Sequence, residues 1–328
     1  MNALVSRVTR RRSGALNILG GSPIMGPLAA LLLATIVFAT QSDKFLTGGN
    51  FSLILQQVMV VGTLAIGQTL IILTGGIDLS NGMIMALSSV LMTGFAVRSG
   101  MDPILAIFAG VAIGVVFGLL NGWLVTAIRL PPFIVTLGML NIVFALVRIY
   151  STSTITNLPS AQLYFGNTFS IGGTEITYGS VLMLFLYGLV WFVLRSTPAG
   201  RAVYAVGDNP EAARLAGINT NRVILGVYAV AALCYAIAGL LLVSRTGVGD
   251  PQAGQTGNLD SITAVVLGGT SLLGGRGHIF GTLIGALIVG VFRNGLQLMG
   301  VESNYQVLIT GVLVILAVSV DYLSHRTK

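Results

Sequence analysis

Charged side chains, cysteine and histidine are scarce in this 328-residue sequence. Only 8% of its residues are charged, whereas 54% are hydrophobic and the mean hydropathy is +0.91. A water-soluble domain needs more polar surface than this composition supplies, so an ordinary soluble protein is excluded. The single cysteine, Cys234, cannot form an intrachain disulfide and lies inside an apolar run, where we expect it to serve packing.

Motifs that carry catalysis or bind nucleotides are also missing. The sequence has no G-x-x-x-x-G-K-S/T loop and no recognisable nucleophile motif, which argues against an enzyme and against ATP hydrolysis by this chain. His278 and His325 stand beside basic residues at loop or terminal positions, so no metal site is predicted. The net charge of +7 is spread over loop ends without interleaved aromatic residues, which argues against a nucleic-acid partner.

Long apolar runs follow one another along nearly the whole chain. A bilayer core about 30 Å thick requires roughly 20 apolar residues per crossing helix. The pattern therefore predicts an all-α polytopic membrane protein with about ten transmembrane helices. The stretch Leu259–Leu273 is short and ends in paired glycines, so a broken or re-entrant segment is the alternative to a full crossing there. The predicted spans are Ile24–Thr40, Ser52–Thr74, Leu79–Val97, Pro103–Ile128, Phe133–Tyr150, Ser180–Leu194, Val223–Val243, Leu259–Leu273, Ile279–Met299 and Tyr305–Val320.

The basic residues predict the orientation of these spans. Four arginines precede the first span, and with ten crossings both termini lie on the same side, which the positive-inside rule assigns to the cytoplasm. We therefore divide the chain into a basic cytoplasmic tail (1–23), a membrane domain (24–322) and a cytoplasmic C-terminal tail (323–328). The membrane domain includes a cytoplasmic loop at 196–222, and membrane lipid surrounds the spans.

A polar island interrupts the apolar pattern from Gly200 to Arg222. Within it, Asn209 is suited to cap a helix, Pro210 to occupy its first position and Glu211 to complement the positive end of its dipole. Gly217 is suited to end the helix in the left-handed conformation. These signals predict a short helix on the cytoplasmic side of the membrane.

This predicted helix, Pro210–Ala216, has only about two turns, and such a helix is not stable alone in water. Something must therefore pack against it. Its surface is predicted to fit a groove on a partner protein, although an ordinary solvated loop helix is the competing interpretation. The residues expected on that surface are the small Ala212, Ala213 and Ala216, flanked by Glu211 and Arg214.

Glycines recur every fourth residue along the fourth predicted span and are frequent in the ninth. Such spacing places small residues on one helix face and permits close helix packing. The dipeptide Asn121-Gly122 is matched by Asn294-Gly295, which suggests an internal duplication, with tight packing of each helix alone as the alternative. The candidate packing residues are Gly110, Gly114, Gly118, Gly122, Gly281 and Gly285.

A few polar residues lie within or between the spans. Asp78 or Ser80 is expected to cap the third span, or alternatively to act in gating or coupling, and Asp260 is expected to be a cap. Arg293 either lines a path inside the bundle or reaches back to the membrane interface. The candidate path or gating residues are Asp78, Ser80, Asn121, Arg293 and Asn294.

Three segments resemble the ribose-type sugar permeases of ATP-binding-cassette (ABC) importers, and the similarity extends from about Phe45 to Asp321. They are GQTLIILTGGIDLSNG from Gly67, the polar island from Gly200, and LDSITAVVLGGTSLLGGRGHIFGTLIGALIVGVFRNGLQLMGV from Leu259. Within the island, the string Glu211-Ala212-Ala213-x-x-x-Gly217 resembles the cytoplasmic coupling loop of such permeases. The residues matched to ATPase coupling are Asn209, Pro210, Glu211, Ala212, Ala213, Arg214 and Gly217.

The resemblance implies a multi-pass subunit of the bacterial inner membrane that moves a monosaccharide into the cytoplasm. It also implies two ABC ATPase subunits that bind ATP and magnesium, a periplasmic or lipid-tethered sugar-binding protein, and either a second permease copy or a related permease. No cofactor is expected on this chain itself. An ion-gradient-driven secondary transporter or channel for a small polar solute is the alternative, although the spans hold few acids and no paired carboxylates.

Overall fold

The computed structural model describes residues 24–326, and about 75% of the structure is helical. The helices are α1 (Met25–Gln41), α2 (Gly48–Leu73), α3 (Asn81–Val97), α4 (Pro103–Ala127), α5 (Pro132–Tyr150), α6 (Ser160–Leu163), α7 (Tyr178–Ser196), α8 (Pro198–Asp208), α9 (Pro210–Leu215), α10 (Thr220–Thr246), α11 (Gly257–Leu267), α12 (Ile279–Leu298) and α13 (Ser303–Arg326). Two short strands, β1 (Thr168–Ile171) and β2 (Thr174–Thr177), lie between α6 and α7. The tail at 1–23 lies outside the described residues, and α13 continues into the predicted C-terminal tail.

Six of the described helices are long and apolar enough to cross a membrane, namely α2, α4, α5, α7, α10 and α12. The apolar helices α1, α3 and α11 are shorter, at 17, 17 and 11 residues. Each predicted span overlaps one helix, and an all-α membrane protein fits this architecture. The count of ten crossings stays a prediction.

The eighth predicted span, Leu259–Leu273, is not one continuous helix. Helix α11 ends at Leu267, because Gly268 and Gly269 follow and Gly269 takes a left-handed conformation with φ of 81°. At 1.5 Å per residue the helix is about 16 Å long, roughly half of a bilayer core. The alternative of a broken segment therefore describes this part of the chain.

Helices α2 and α10 form the centre of the bundle. Helix α10 packs against α4, α2 and α3, while α12 packs against α11, α2 and α1. Three tyrosines, Tyr187, Tyr228 and Tyr235, are among the largest fully buried side chains. The most hydrophobic window of α2 is 78% buried, whereas those of α4, α5 and α7 are only 22%, 28% and 33% buried. The latter three helices therefore present apolar faces outward, as lipid-facing helices do.

The glycine face of α4 lies against α3 and α10. A methyl group on Gly110 would come within 2.8 Å of Met92 Cβ, and one on Gly118 would come within 2.8 Å of the Tyr228 carbonyl oxygen. All four glycines of this row are buried, including Gly114 and Gly122. Small residues at these positions let the backbones approach closely, which leaves no room for larger side chains.

The glycines of α12 contact two different sides of the bundle. A side chain on Gly281 or Gly285 would overlap the backbone of α11 and its final turn. Towards the other end of α12, Gly290 faces Val58 of α2 and Gly295 faces the ring of Phe38 in α1. Helix α12 is therefore enclosed on both sides by close helix contacts.

The long loop at 151–179 contains a β-hairpin in addition to α6. Strands β1 and β2 pair antiparallel, with Thr168 opposite Thr177. Gly172 and Gly173 both have positive φ, at 57° and 81°, as a tight hairpin turn requires. The hairpin lies beside the start of α2, where Gly173 contacts Gly48.

Candidate functional site

Helix α9 forms where the sequence predicts a short capped helix. The Asn209 side chain accepts a hydrogen bond from the Ala212 N–H at 3.0 Å, and Pro210 occupies the first position. The helix ends at Leu215 rather than Ala216, and Gly217 then takes the left-handed conformation at φ of 85°. The predicted cap residues therefore occupy both ends of the helix.

The exposed surface of α9 differs from the predicted one. Ala213 is only 4% exposed and faces the protein, so its predicted place on the outer surface is wrong. Leu215, which the sequence reasoning missed, is 86% exposed. Glu211 and Arg214 form an exposed ion pair at 2.8 Å. A large apolar side chain beside an ion pair is therefore the feature that α9 presents to solvent.

A groove runs along one side of α9. It is bounded by the end of α4, by α9 and by the start of α10, and its volume is about 490 Å³. Polar side chains predominate in its lining, which includes Thr126, Arg129, Glu211, Arg214 and Asn219. Helix α9 therefore borders a groove and also presents the projecting side chain of Leu215.

Helix α8 directly precedes α9, and the sequence reasoning missed it. Its signals were present, since Thr197 accepts from the Gly200 N–H at 3.2 Å and Pro198 occupies the first position. The Tyr204 hydroxyl donates to the Gly277 carbonyl oxygen at 3.0 Å. Helix α8 therefore connects α9 to the glycine-rich loop that precedes α12.

Three backbone segments meet without intervening side chains at the end of α8. The Gly275 N–H donates to the carbonyl oxygen of Leu73, the last residue of α2, at 3.0 Å. A methyl group on Gly207 of α8 would overlap the same carbonyl oxygen. We call this contact of Leu73, Gly207 and Gly275 the backbone junction. Because this contact consists of backbone atoms, no side-chain rotation can change the spacing of α8, the end of α2 and the loop before α12.

A buried polar cluster lies between α2 and α3. The Asp78 Oδ1 atom accepts from the Ser80 N–H at 2.8 Å and from the Ser80 hydroxyl at 2.6 Å. The Asn121 side chain of α4 donates to the Ser80 hydroxyl at 2.9 Å, and the Tyr235 hydroxyl of α10 lies beside the Asp78 carboxylate. Ser80 occupies the N-cap position of α3, as the sequence predicts, but neither its side chain nor that of Asp78 forms a capping hydrogen bond with the helix. The cluster instead links the loop to α4 and α10.

Buried amides form further contacts that the sequence reasoning missed in part. The Asn81 side chain donates to Gln68 Oε1 at 3.0 Å and to the Ser261 hydroxyl at 2.8 Å, which joins α3, α2 and α11. Asn294, a predicted path residue, donates to Asn50 Oδ1 at 2.8 Å and is only 3% exposed. Isolated asparagine and glutamine residues in apolar runs were the available signal.

Asp260 does not cap α11, contrary to the expectation from sequence. It lies within the first turn of the helix, is 5% exposed at its side chain, and forms an ion pair with Arg293 of α12 at 3.2 Å. Burial requires such a partner, because an isolated carboxylate is costly to remove from water. Arg293 therefore faces the bundle rather than the lipid.

The Asp260–Arg293 pair lies at a polar cavity of about 150 Å³ between α2, α10, α11 and α12. Gln57, Arg245 and Thr256 also line this cavity, and the buried Gln57 Oε1 finds no hydrogen-bond partner among the described residues. The cavity combines donors and acceptors in an otherwise apolar bundle. It can therefore hydrogen-bond a small polar solute.

The predicted path residues do not converge on one place. Asp78, Ser80 and Asn121 share one cluster, Arg293 belongs to the polar cavity, and Asn294 pairs with α2. Within residues 24–326 there is no group of three or more metal-ligating side chains.

Comparisons with known proteins give a consistent result. Residues 50–318 match the family described as branched-chain amino acid transport system / permease component. The chain is 48% identical to the fructose import permease protein FrcC of Rhizobium meliloti over 312 residues. This alignment covers 93% of this chain and 87% of the relative. It is 43% identical over 300 residues to the ribose import permease protein RbsC of Bacillus subtilis, covering 90% and 92%. The xylose transport system permease protein XylH of Escherichia coli is 32% identical over 359 residues, covering 91% of each chain.

Proposed function

Since the chain belongs to the branched-chain amino acid transport system / permease component family, we propose that it is the permease subunit of an ATP-driven monosaccharide importer. The observation that carries this proposal is the similarity to permeases named for fructose, ribose and xylose, each over at least 90% of this chain. The multi-pass architecture agrees with a subunit of the bacterial inner membrane. The ATPase, with its ATP and magnesium, is a separate partner.

We propose ten crossings with both termini in the cytoplasm. In this arrangement α8 and α9 lie on the cytoplasmic side, together with the end of α2 and the start of α12. The hydrogen bond from Gly275 to Leu73 supports it, because it joins the end of α2 to the loop before α12. The arginine-rich segment at 1–23 supports the same orientation.

The helix contacts support an internal duplication with five spans in each half. Helix α4, the fourth span of the first half, packs against α10, the second span of the other half. Helix α12, the fourth span of the second half, packs in the same way against α2. The pairs α3 with α4 and α11 with α12 also correspond. Such repeats commonly surround the transport path of a transporter.

We assign the contact with the ATPase to α9. Leu215 projects from this helix, and burying a leucine side chain in a partner contributes about 1.5–3 kcal/mol. Helix α8 and the backbone junction then connect α9 to α2 and α12. Movement of α9 by the ATPase would thereby change the relative positions of the transmembrane helices, which alternates access to the path.

Replacing Leu215 by serine tests this assignment. We expect about tenfold weaker binding of the ATPase to the purified permease, since loss of about 1.4 kcal/mol corresponds to a factor of ten. Leu46→Ser is the matched control, because Leu46 is also exposed, at 59%, but lies in the loop between α1 and α2 at the other end of the bundle. Equal ATPase binding by both variants would refute the role of α9.

We propose that the polar cavity at Asp260 and Arg293 lies on the sugar path, below the docking surface of a sugar-binding protein. Its charged and amide groups match the hydroxyl groups of a monosaccharide. The cluster of Asp78, Ser80 and Asn121 would act in gating by linking the loop after α2 to α4. A second permease copy or a related permease would complete the path.

Uptake by reconstituted vesicles decides between the importer and a secondary transporter. Vesicles containing the permease, its ATPase and its binding protein should accumulate labelled ribose, fructose or xylose only when ATP is present on the ATPase side. Vesicles containing the permease alone serve as the control and should not respond to an ion gradient. Gradient-driven uptake without ATP would contradict the proposal.

A further inference from the structure

A second cleft lies between the end of α7, α8 and the start of α12, away from the polar cavity. Its volume is about 290 Å³. Helix α7 contributes an aromatic ring and a cation, α8 a tyrosine, and the cap of α12 a histidine. The lining residues are Trp191, Leu194, Arg195, Tyr204, His278 and Ile279.

The cleft offers hydrogen-bond donors, and none of the described residues that line it is acidic. The Arg195 guanidinium lies 5.3 Å from the centre of the Trp191 ring and forms no ion pair among residues 24–326. His278 Nδ1 accepts from the Phe280 N–H at 3.3 Å, so the proton of the neutral ring is on Nε2, which is a further donor. Partial burial and the neighbouring Arg195 lower the pKa of His278, which favours this neutral ring with its donor on Nε2. The lining is therefore suited to bind an anion.

An exposed apolar strip on α7 leads to this cleft. Its members recur at positions i, i+3, i+4, i+8 and i+11, a pattern that places them on one helix face. From residue 181 to residue 192 the strip rises about 16 Å, which is close to half of the bilayer core and to the depth of one leaflet. The strip consists of Val181, Leu184, Phe185, Leu189 and Phe192, between 46% and 63% exposed.

Helix α8 marks the boundary between membrane and water beside the cleft. It buries Val203 and Val206 on one face and exposes Arg201, one turn before Tyr204. Because α8 begins two residues after the end of α7, a helix long enough to cross a membrane, the cleft lies where α7 leaves the bilayer. The cleft is therefore at the depth of lipid headgroups, and the strip on α7 is at the depth of acyl chains.

We propose that this cleft binds the phosphate of an anionic phospholipid from the leaflet next to α8, with an acyl chain along the strip on α7. Charge and position select this occupant, because basic clefts next to membrane helices attract anionic headgroups. The site goes beyond the transport function and requires only that the chain lies in a membrane. The lipid would hold α7 and α8 together with the start of α12.

Native mass spectrometry of the full chain in mild detergent, titrated with phosphatidylglycerol or phosphatidylcholine, tests the proposal. The wild-type chain should bind phosphatidylglycerol at least about fivefold more tightly than phosphatidylcholine, since one arginine near the membrane surface contributes about 1 kcal/mol. Arg195→Gln should remove this preference and Arg195→Lys should retain most of it. Arg222→Gln is the matched control, because Arg222 is an exposed arginine at the start of α10, outside the cleft.

Two further variants and a competitor identify the occupant. Phe185→Ser should weaken phosphatidylglycerol binding, and excess inorganic phosphate should not displace the lipid. Unchanged lipid preference in Arg195→Gln would overturn the site. Displacement by inorganic phosphate would overturn the lipid as its occupant. Disulfide cross-linking between two copies of Phe185→Cys would also overturn it, because a second permease would then cover the strip; the native Cys234 is buried and does not interfere.

Discussion

Replacing Gly285 by alanine should separate α12 from α11. The added methyl group would overlap the Ala264 carbonyl oxygen and would lie 2.8 Å from the Ala264 carbonyl carbon and 2.9 Å from the Gly268 nitrogen. All three are backbone atoms, so no side-chain rotation can relieve the overlap. Because carbon atoms pack best at about 3.5–4.0 Å and the carbonyl oxygen is closer still, α11 has to retreat by at least about 1 Å.

The expected loss of stability follows from two opposing effects. Overpacking of a close-packed interior costs about 1–3 kcal/mol, and contact with rigid backbone places Gly285→Ala at the upper end of that range. Alanine in place of glycine favours the helix by about 1 kcal/mol. The net loss is therefore about 2 kcal/mol, or roughly a 30-fold change in the ratio of folded to unfolded protein.

Unfolding by titration with sodium dodecyl sulfate, followed by circular dichroism, measures this difference in the free energy of unfolding. Gly188→Ala is the matched control, since Gly188 lies in the apolar helix α7 and a methyl group there would meet no atom of residues 24–326 within 4 Å. That variant should be as stable as the wild type or more stable by up to about 1 kcal/mol. Equal stability of both variants would refute the argument from close helix approach.

Three further variants test other contacts. Asp260→Asn should lower the free energy of unfolding by about 1–2 kcal/mol, because Arg293 loses its carboxylate partner but is 37% exposed and can partly reach solvent. The double variant Asp260→Leu with Arg293→Met should lose less stability than Asp260→Asn, and a larger loss in the double variant would contradict the role of the ion pair. Gly217→Ala should lower the free energy of unfolding by about 1 kcal/mol, because residue 217 is left-handed at φ of 85°. Thermal unfolding measures this loss, and an unchanged unfolding temperature would contradict it. Asn294→Leu should lower the free energy of unfolding by about 1–2 kcal/mol, because Asn50 Oδ1 loses its hydrogen-bond donor. A double-mutant cycle of Asn294 and Asn50 should show a coupling energy of about 0.5–2 kcal/mol, and no coupling would exclude the hydrogen bond.

Local signals in the sequence predicted the ends of α9 well. Capping depends on a few neighbouring residues, so Asn209, Pro210 and Gly217 could be assigned roles without knowledge of the fold. The same signals existed at Thr197 and Pro198 for α8, which was missed because the apolar run ends there. Helix ends are therefore predictable where polar capping residues stand between apolar runs.

Contacts between distant helices were not predictable in this way. Asp260 was expected to cap its own helix, yet it pairs with Arg293 of α12. Likewise, Ala213 was expected on the surface of α9, but it faces the protein and Leu215 faces solvent. The direction of a two-turn helix is set by what it packs against, and so its inner face cannot be inferred from so few residues.

The sequence by itself determined that this is a helical membrane protein, where most helices begin and end, and to which family of permeases it belongs. These properties are local or additive along the chain: hydropathy sums over about 20 residues, and caps involve four or five. Only the tertiary structure decided which buried polar groups meet, where α11 stops, and which faces of α7 and α9 remain exposed. Those features depend on helix packing, in which close glycine contacts such as that of Gly285 with α11 bring together residues that are far apart in sequence.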